Sequence, residues 1–263
     1  MMLTFTALRR AAGRFAVAIV VAPALSATTA SSAGAEASTF CVKATKTLTK
    51  PKRPDRNGEG ETRTANGEGN LVIGYDENKG GHEQTGSHDL VVGEEQTFTG
   101  YGGILAGFKN EILGAFTSVT GGSLNKAQSA FSLVGGGEGN STIGQYATVT
   151  GGFSNTANGV CASISGGFEN KASAQAASVD GGAKNIASEL GAAIAGGFEN
   201  VASKREAAVA SGLESSVGGG AVSTASGEAS WIGGGFKNKA SGAFSSVFGG
   251  KELGALSEYA TAP

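Results

Sequence analysis

Between residues 110 and 210 the chain repeats one arrangement of apolar and polar positions. Asn stands at Asn110, Asn125, Asn140, Asn155, Asn170, Asn185 and Asn200, fifteen residues apart each time. Nine residues after each comes Val119, Val134, Val149, Ile164, Val179, Ile194 or Val209. A Gly-Gly pair follows two residues later, replaced only in the last unit by Ser211-Gly212. Small or apolar positions alternate with polar ones around each aliphatic residue. In Ala162-Ser163-Ile164-Ser165-Gly166, the first, third and fifth residues point one way and the two serines the other. A period of two is that of a strand. A second short strand is expected around Asn170-Lys171-Ala172, whose Ala column recurs as Ala127, Ala157, Ala187, Ala202, Ala225 and Ala240.

A short unbroken period marks a solenoid, in which each repeat buries its apolar side against its neighbours. The expected fold is all-β: a single-chain parallel β-solenoid, or β-roll, of 15-residue coils with two strands and two tight turns each. Coils stack about 4.8 Å apart. Val and Ile then form an inner column, and the Asn side chains a ladder of stacked amides.

Outside this block the pattern loosens without disappearing. Leu-Val-Ile-Gly at 71–74, Leu-Val-Val-Gly at 90–93 and Ile-Leu-Ala-Gly at 104–107 are spaced 19 and 14 residues apart, and read as irregular coils over 70–109. Terminal coils of this kind are expected where an open stack must be protected from edge pairing. After Val209 the inner column resumes at Ile232, 23 residues on, and continues at Val247. The excess is read as an insertion over 211–222, with coils resuming over 223–263. Asn238 keeps the Asn column there, while Ser215, Ser223 and Leu253 depart from it. About a dozen coils fit between Leu71 and the end, a rod on the order of 55–60 Å long.

Two further columns are apolar yet too large for the narrow interior. One holds Phe116, Phe131, Tyr146, Phe244 and Tyr259; the other holds Phe108, Phe153, Phe168, Phe198, Leu213 and Phe236. Apolar stripes along a rod suggest that rods pack side by side. The units YATVTGGFSNTANG, ASISGGFENKAS and FSSVFGG resemble the head repeats of trimeric autotransporter adhesins, the Yersinia-adhesin-like family. The resemblance covers about 104–250 and, more loosely, 71–263. It implies a left-handed parallel β-roll, a homotrimer, and binding to host matrix, cell-surface or glycan ligands. The doubled Gly and the period of 15 differ from the family's repeat, often 14. The family's coiled-coil stalk and membrane barrel have no counterpart among the repeats.

Composition narrows the setting. With 45 Gly but only 4 Pro and no Gly at every third position, collagen is excluded. Arg9, Arg10 and Arg14, the apolar run Phe15–Leu25 and the small residues Ala33-Gly34-Ala35 read as a secretory signal over 1–35. Eleven apolar residues are too few to cross about 30 Å of hydrocarbon, and no later stretch approaches a transmembrane segment. Export to the cell surface, outer membrane or exterior is expected. Without the signal 17 basic residues face 22 acidic ones, a net charge of −5 that argues against a nucleic-acid partner. Residues 36–69, rich in Pro, Gly and Lys, read as a flexible polar linker. Of the two cysteines, Cys41 lacks a lipid-attachment context. Cys161 stands in the column held elsewhere by Phe116, Phe131, Tyr146 and Ala176, as a small apolar side chain.

Catalytic and metal chemistry find little support. His82 and His88, with Glu83 and Asp89, lie in a Gly-rich loop that reads as a solvated insertion rather than a metal site. No serine is marked as a nucleophile. Calcium-binding nonapeptide repeats need an Asp at a fixed place after the glycines, and only Asp180 occurs near a Gly pair, on the wrong side. Acyltransferase solenoids need 18-residue coils. A flat ice-binding face needs a regular Thr array, but the outer column reads Ser118, Leu133, Thr148, Ser163, Ser178, Ala193, Ala208. The expectation is a non-enzymatic protein without cofactors, acting by binding; the alternative is a structural spacer or coat of the cell envelope. A Val179→Asp substitution should place an unpaired charge in the thin core and break the stack. An unchanged thermal melt would show that this column does not face inward.

Overall fold

The computed structural model describes residues 42–44, 63, 65, 67, 69–74, 82–209 and 220–263. The expected signal 1–35, most of the linker 36–69 and most of the insertion 211–222 lie outside these residues. The protein is an all-β parallel solenoid of about 12 turns, without a helix among the described residues.

Two long sheets run along the stack. Among the described residues the first has 14 strands and contains Leu71–Ile73, Leu90–Glu94, Ile104–Phe108, then two-residue strands from Ser118–Val119 to Thr261–Ala262. The second has 11 strands, from Thr97–Phe98 to Gly254–Ala255. Neighbouring strands within each sheet are parallel, as Val149 opposite Ile164 and Ala157 opposite Ala172. The exception is Val42–Ala44, inside the stretch that reads as a linker. It pairs antiparallel with Leu71–Ile73 and occupies the edge of the first sheet.

The core lies between the sheets. Val119, Val134, Val149, Ile164, Val179, Ile194, Val209, Ile232 and Val247 are all buried in the first sheet, continuing Val72, Val91 and Leu105. Opposite stand Ala127, Ala157, Ala172, Ala187, Ala202, Ala225 and Ala240, with Thr142 among them. Large residues, Phe98 and Ile112, take this column only at the start of the stack. There the facing wall is small: a Cβ on Gly103 would stand 2.7 Å from Ile112 Cδ1. Volume is conserved across the interior, as close packing requires.

The coil has three sides where the sequence pattern suggests two strands and two turns. Single parallel bridges join Phe108, Ser123, Glu138, Phe153, Phe168, Ala183, Phe198 and Ala221 into a third ladder. A representative coil has three residues with left-handed backbone: Tyr146 (φ 59°), Gly152 (φ 91°) and Ser154 (φ 55°). The first sits third in the four-residue turn closed by the Ala147 N–H to the Gly144 carbonyl, where Gly or Asn is the usual choice.

The other two bracket the corner leading to Asn155, whose side chain replaces the backbone bonds that such a corner lacks. Its amide nitrogen donates to the carbonyls of Gly151 and Gly167, both at 3.0 Å. Its carbonyl oxygen accepts the Asn170 backbone N–H at 2.9 Å. The same ties recur at Asn110, Asn125, Asn140, Asn170 and Asn185, all buried. Asn200 passes the ladder to the Ser223 N–H across the 23-residue step, and Asn238 passes it to Leu253. The Asn column is therefore a staple from side chain to backbone. Amide-to-amide contacts of the expected stacked kind are secondary, at 3.1 Å for Asn155–Asn140, Asn185–Asn170 and Asn200–Asn185.

The glycine pair divides its work unequally. A Cβ on Gly152 would lie 2.3 Å from the Gly167 carbonyl oxygen and 2.6 Å from the Asn155 amide nitrogen. A Cβ on Gly151 would meet nothing within 4 Å. Gly152→Ala should therefore cost about 3 kcal/mol or more in urea unfolding, through the left-handed backbone and the blocked coil contact. Gly151→Ala should stay within about 0.5 kcal/mol of the parent. Equal effects would mean that the second glycine is not what sets coil spacing.

Candidate functional site

The inner Val, Ile and Asn columns are sealed from solvent, so any ligand must meet the outer columns. The turn that carries Tyr146 repeats along the regular coils and holds its third residue in left-handed backbone, as at Phe116, Phe131, Phe244 and Tyr259. For a bulky residue this backbone costs on the order of 1–2 kcal/mol. Ring stacking between coils returns a comparable amount, about 0.5–1.5 kcal/mol per pair. Phe116, Phe131 and Tyr146 stack at centroid distances of 5.4 and 5.1 Å, and Phe244 on Tyr259 at 5.4 Å. Tyr101 abuts Phe116 edge-on at 5.3 Å. It reaches the stripe from the neighbouring position, because across the 14-residue step the residue in register with Phe116 is Gly102 (φ 73°). The rings of this stripe remain 37–69% exposed.

The second stripe lies on the third ladder. Phe153 stacks on Phe168 at 5.5 Å. Lysines lean over other rings: Lys109 over Phe108 at 5.0 Å, Lys237 over Phe236 at 5.1 Å and Lys184 over Phe198 at 5.9 Å. Leu213 of the expected stripe lies outside the described residues. On the outer face of the first sheet, Trp231 meets Phe248 edge-on at 5.7 Å. This pair was not legible as a column, since Ser118, Thr148, Ser163 and Ser178 fill the position of Trp231, and Thr120, Gly135, Thr150 and Ser165 that of Phe248. Cys161 is exposed and carries no disulfide; Cys41 lies outside the described residues.

The histidine segment divides between two environments. His82 Nδ1 lies 3.1 Å from Thr97 Oγ1, and its Nε2 lies 3.8 Å from Glu95 Oε2, which also pairs with Lys109 Nζ at 3.1 Å. His88 instead packs at Gly69, where a Cβ would stand 3.0 Å from its ring. Among the described residues no three His, Cys, Asp or Glu side chains gather to hold a metal ion. No helix there is long and apolar enough to cross a membrane.

Asp89, expected in a solvated loop, is buried in the position that later coils give to Thr117, Ser132 and Ala147. Its Oδ1 accepts the Gly103 N–H at 2.7 Å, and its backbone N–H donates to Asn70 Oδ1 at 2.9 Å. Its Oδ2 is buried without a hydrogen-bond partner. Burial pushes the carboxyl up from 3.8 to about 7, against the opposing pull of the Gly103 amide.

These features define the class of the protein: a parallel β-solenoid with aromatic stripes on its outer columns. A scan of family models finds no match to the chain, and a search of curated proteins finds none either.

The Asp89 carboxyl makes the first coils pH-sensitive in a definite direction. Below about pH 4 the group is neutral whether folded or not. Between about 4 and 7 the unfolded chain releases the proton while the folded coil keeps it, so stability falls as pH rises. The full effect is at most about 4 kcal/mol. Amide exchange at Gly103 should be faster at pH 7.5 than at pH 4.5 after correction for intrinsic rates, and Asp89→Asn should remove that difference. An equal pH dependence in the variant would rule Asp89 out.

Proposed function

We propose that the protein is a non-enzymatic, exported β-solenoid that acts at the cell surface by binding, as the heads of trimeric autotransporter adhesins do. In this reading the rods associate as a homotrimer and present repeated outer columns to matrix, cell-surface or glycan ligands. The observation that carries it is the pair of aromatic stripes on successive coils, half-exposed in a chain whose regular coils are filled mainly by Val, Ile and Ala. A monomeric soluble protein rarely leaves that much contiguous apolar surface open. The resemblance of the repeats to the adhesin heads points the same way.

A second reading, a spacer or coat of the cell envelope, draws on a different observation. Most rings of the first stripe already stack on a neighbour in the same chain, so part of the aromatic surface is used internally. Two measurements separate these outcomes. Light scattering on residues 36–263 should give three times the chain mass, and a clean monomer would sink the trimer. Immobilised collagen, fibronectin and glycans should capture the protein; silence across all three would leave the spacer.

A further inference from the structure

Among the described residues the second stripe contains one open gap of a single rung. Parallel bridges run from Phe168 to Ala183 to Phe198, so the two phenyl-bearing positions are separated by one coil that carries only a methyl group. Two coil spacings put these rungs about 10 Å apart along the axis. Where the stripe is continuous, Phe153 and Phe168 stack at 5.5 Å with an interplanar angle of 8°. The gap thus has room for one more flat ring at about the ladder's own spacing once the exposed Lys184 side chain, which leans over the Phe198 ring, swings aside. Both walls are accessible, Phe168 at 41% and Phe198 at 38% exposure, and Ala183 between them is half-buried. The next candidate, Ala221 between Phe198 and Phe236, is only 8% exposed and is closed. Elsewhere the interruptions span two coils or more, as at Ser123 and Glu138.

The corner beside the gap is rigid and charged. The Ala183 N–H donates to the Gly197 carbonyl, the Lys184 N–H to the Phe168 carbonyl and the Glu199 N–H to the Ala183 carbonyl, at 2.8, 2.8 and 2.9 Å. Glu169, Lys184 and Glu199, one per coil, are exposed next to the aromatic positions. Lys184 Nζ lies 3.9 Å from Glu199 Oε1 and 5.9 Å from the Phe198 ring centroid. The site therefore combines apolar walls, a small floor and a rim of two carboxylates and one ammonium.

We propose that this slot binds one pyranose ring of a glycan. A pyranose presents C–H faces suited to aromatic walls and a belt of hydroxyls suited to a charged rim. Glu169 and Glu199 accept hydrogen bonds from those hydroxyls and Lys184 donates to them. An aromatic side chain from a protein partner would fill the walls and offer no hydroxyls to the rim. The inference rests on the surface-binding reading above and names the ligand class for one place on the rod.

The test is saturation-transfer NMR of the full chain with lactose, chitotriose and a hyaluronan tetrasaccharide. Saturation is expected on the C–H protons of one ring of at least one of them. Ala183→Phe supplies the missing rung, as Phe153 and Phe168 do in their own coils. It should weaken binding at least tenfold while the melting temperature stays within a few degrees. Phe198→Ser, which places in this column the residue found at Ser123, should weaken binding by a similar factor and guards against a folding defect in the first variant. Undiminished binding in both variants overturns the slot and leaves the surface-binding reading standing. A parent chain that binds matrix proteins but none of the saccharides also overturns the slot alone, whereas one that binds neither overturns both.

Discussion

Every coil must return the chain to the same point above the previous coil, because the Asn side chain has only one place to put its three hydrogen bonds. Asn155 reaches the carbonyl of its own corner, the Gly167 carbonyl of the next coil and the amide of Asn170. A coil one residue longer or shorter would leave these buried groups unpaired, each at a cost of about 1–3 kcal/mol. Where the perimeter does change, the tie changes with it. Gln96, one methylene longer than Asn, accepts the Asn110 amide across the 14-residue step. Ser223 ends the 23-residue step with a backbone N–H, and its hydroxyl takes over as acceptor for Asn238 at 3.3 Å.

That constraint explains why glycine recurs beside the Asn column and why the surface is so repetitive. The corner that aims Asn inward needs a left-handed residue whose missing Cβ lets the next coil's carbonyl approach, so Gly152 is confined and Gly151 is not. Once the perimeter is fixed, every outer position stands directly above its counterpart. Aromatic residues in one column stack on one another without further design, and a small residue in that column becomes a gap of known height. The same vertical alignment that stabilises the rod thus generates both the stripes and the opening at Ala183.

The chemistry of the first coils differs from the rest because their interior differs. Asp89 occupies a core position that is apolar or hydroxyl-bearing in later coils, with a glycine opposite and an amide on each side. Its proton is retained for lack of water rather than through a charged neighbour, since burial raises the carboxyl and the one opposing influence is the Gly103 amide. The longer strands Leu90–Glu94 and Ile104–Phe108 and the antiparallel Val42–Ala44 belong to this same end. There the stack begins against a different kind of neighbour.

Much of this was legible in the residues alone. A spacing of fifteen with alternation of two states which side chain faces inward and that strands of successive coils lie side by side. Val119 through Val209 and the Ala column needed nothing more. Other features depend on residues far apart in sequence or on backbone torsion, which side-chain patterns do not record. Phe116 and Tyr146 do not announce left-handed backbone, because bulky residues avoid it unless stacking across coils compensates. Asn155 does not reveal whether its amide will meet another amide or a backbone carbonyl until the corner places Gly151 and Gly167 around it. Asp89 reads as a loop residue until the irregular coil folds over it. The sequence by itself therefore determined the stack and its inner face. Only the tertiary structure decided the three-sided coil, the staple and the one open gap, because each arises from contact between neighbouring coils rather than within one.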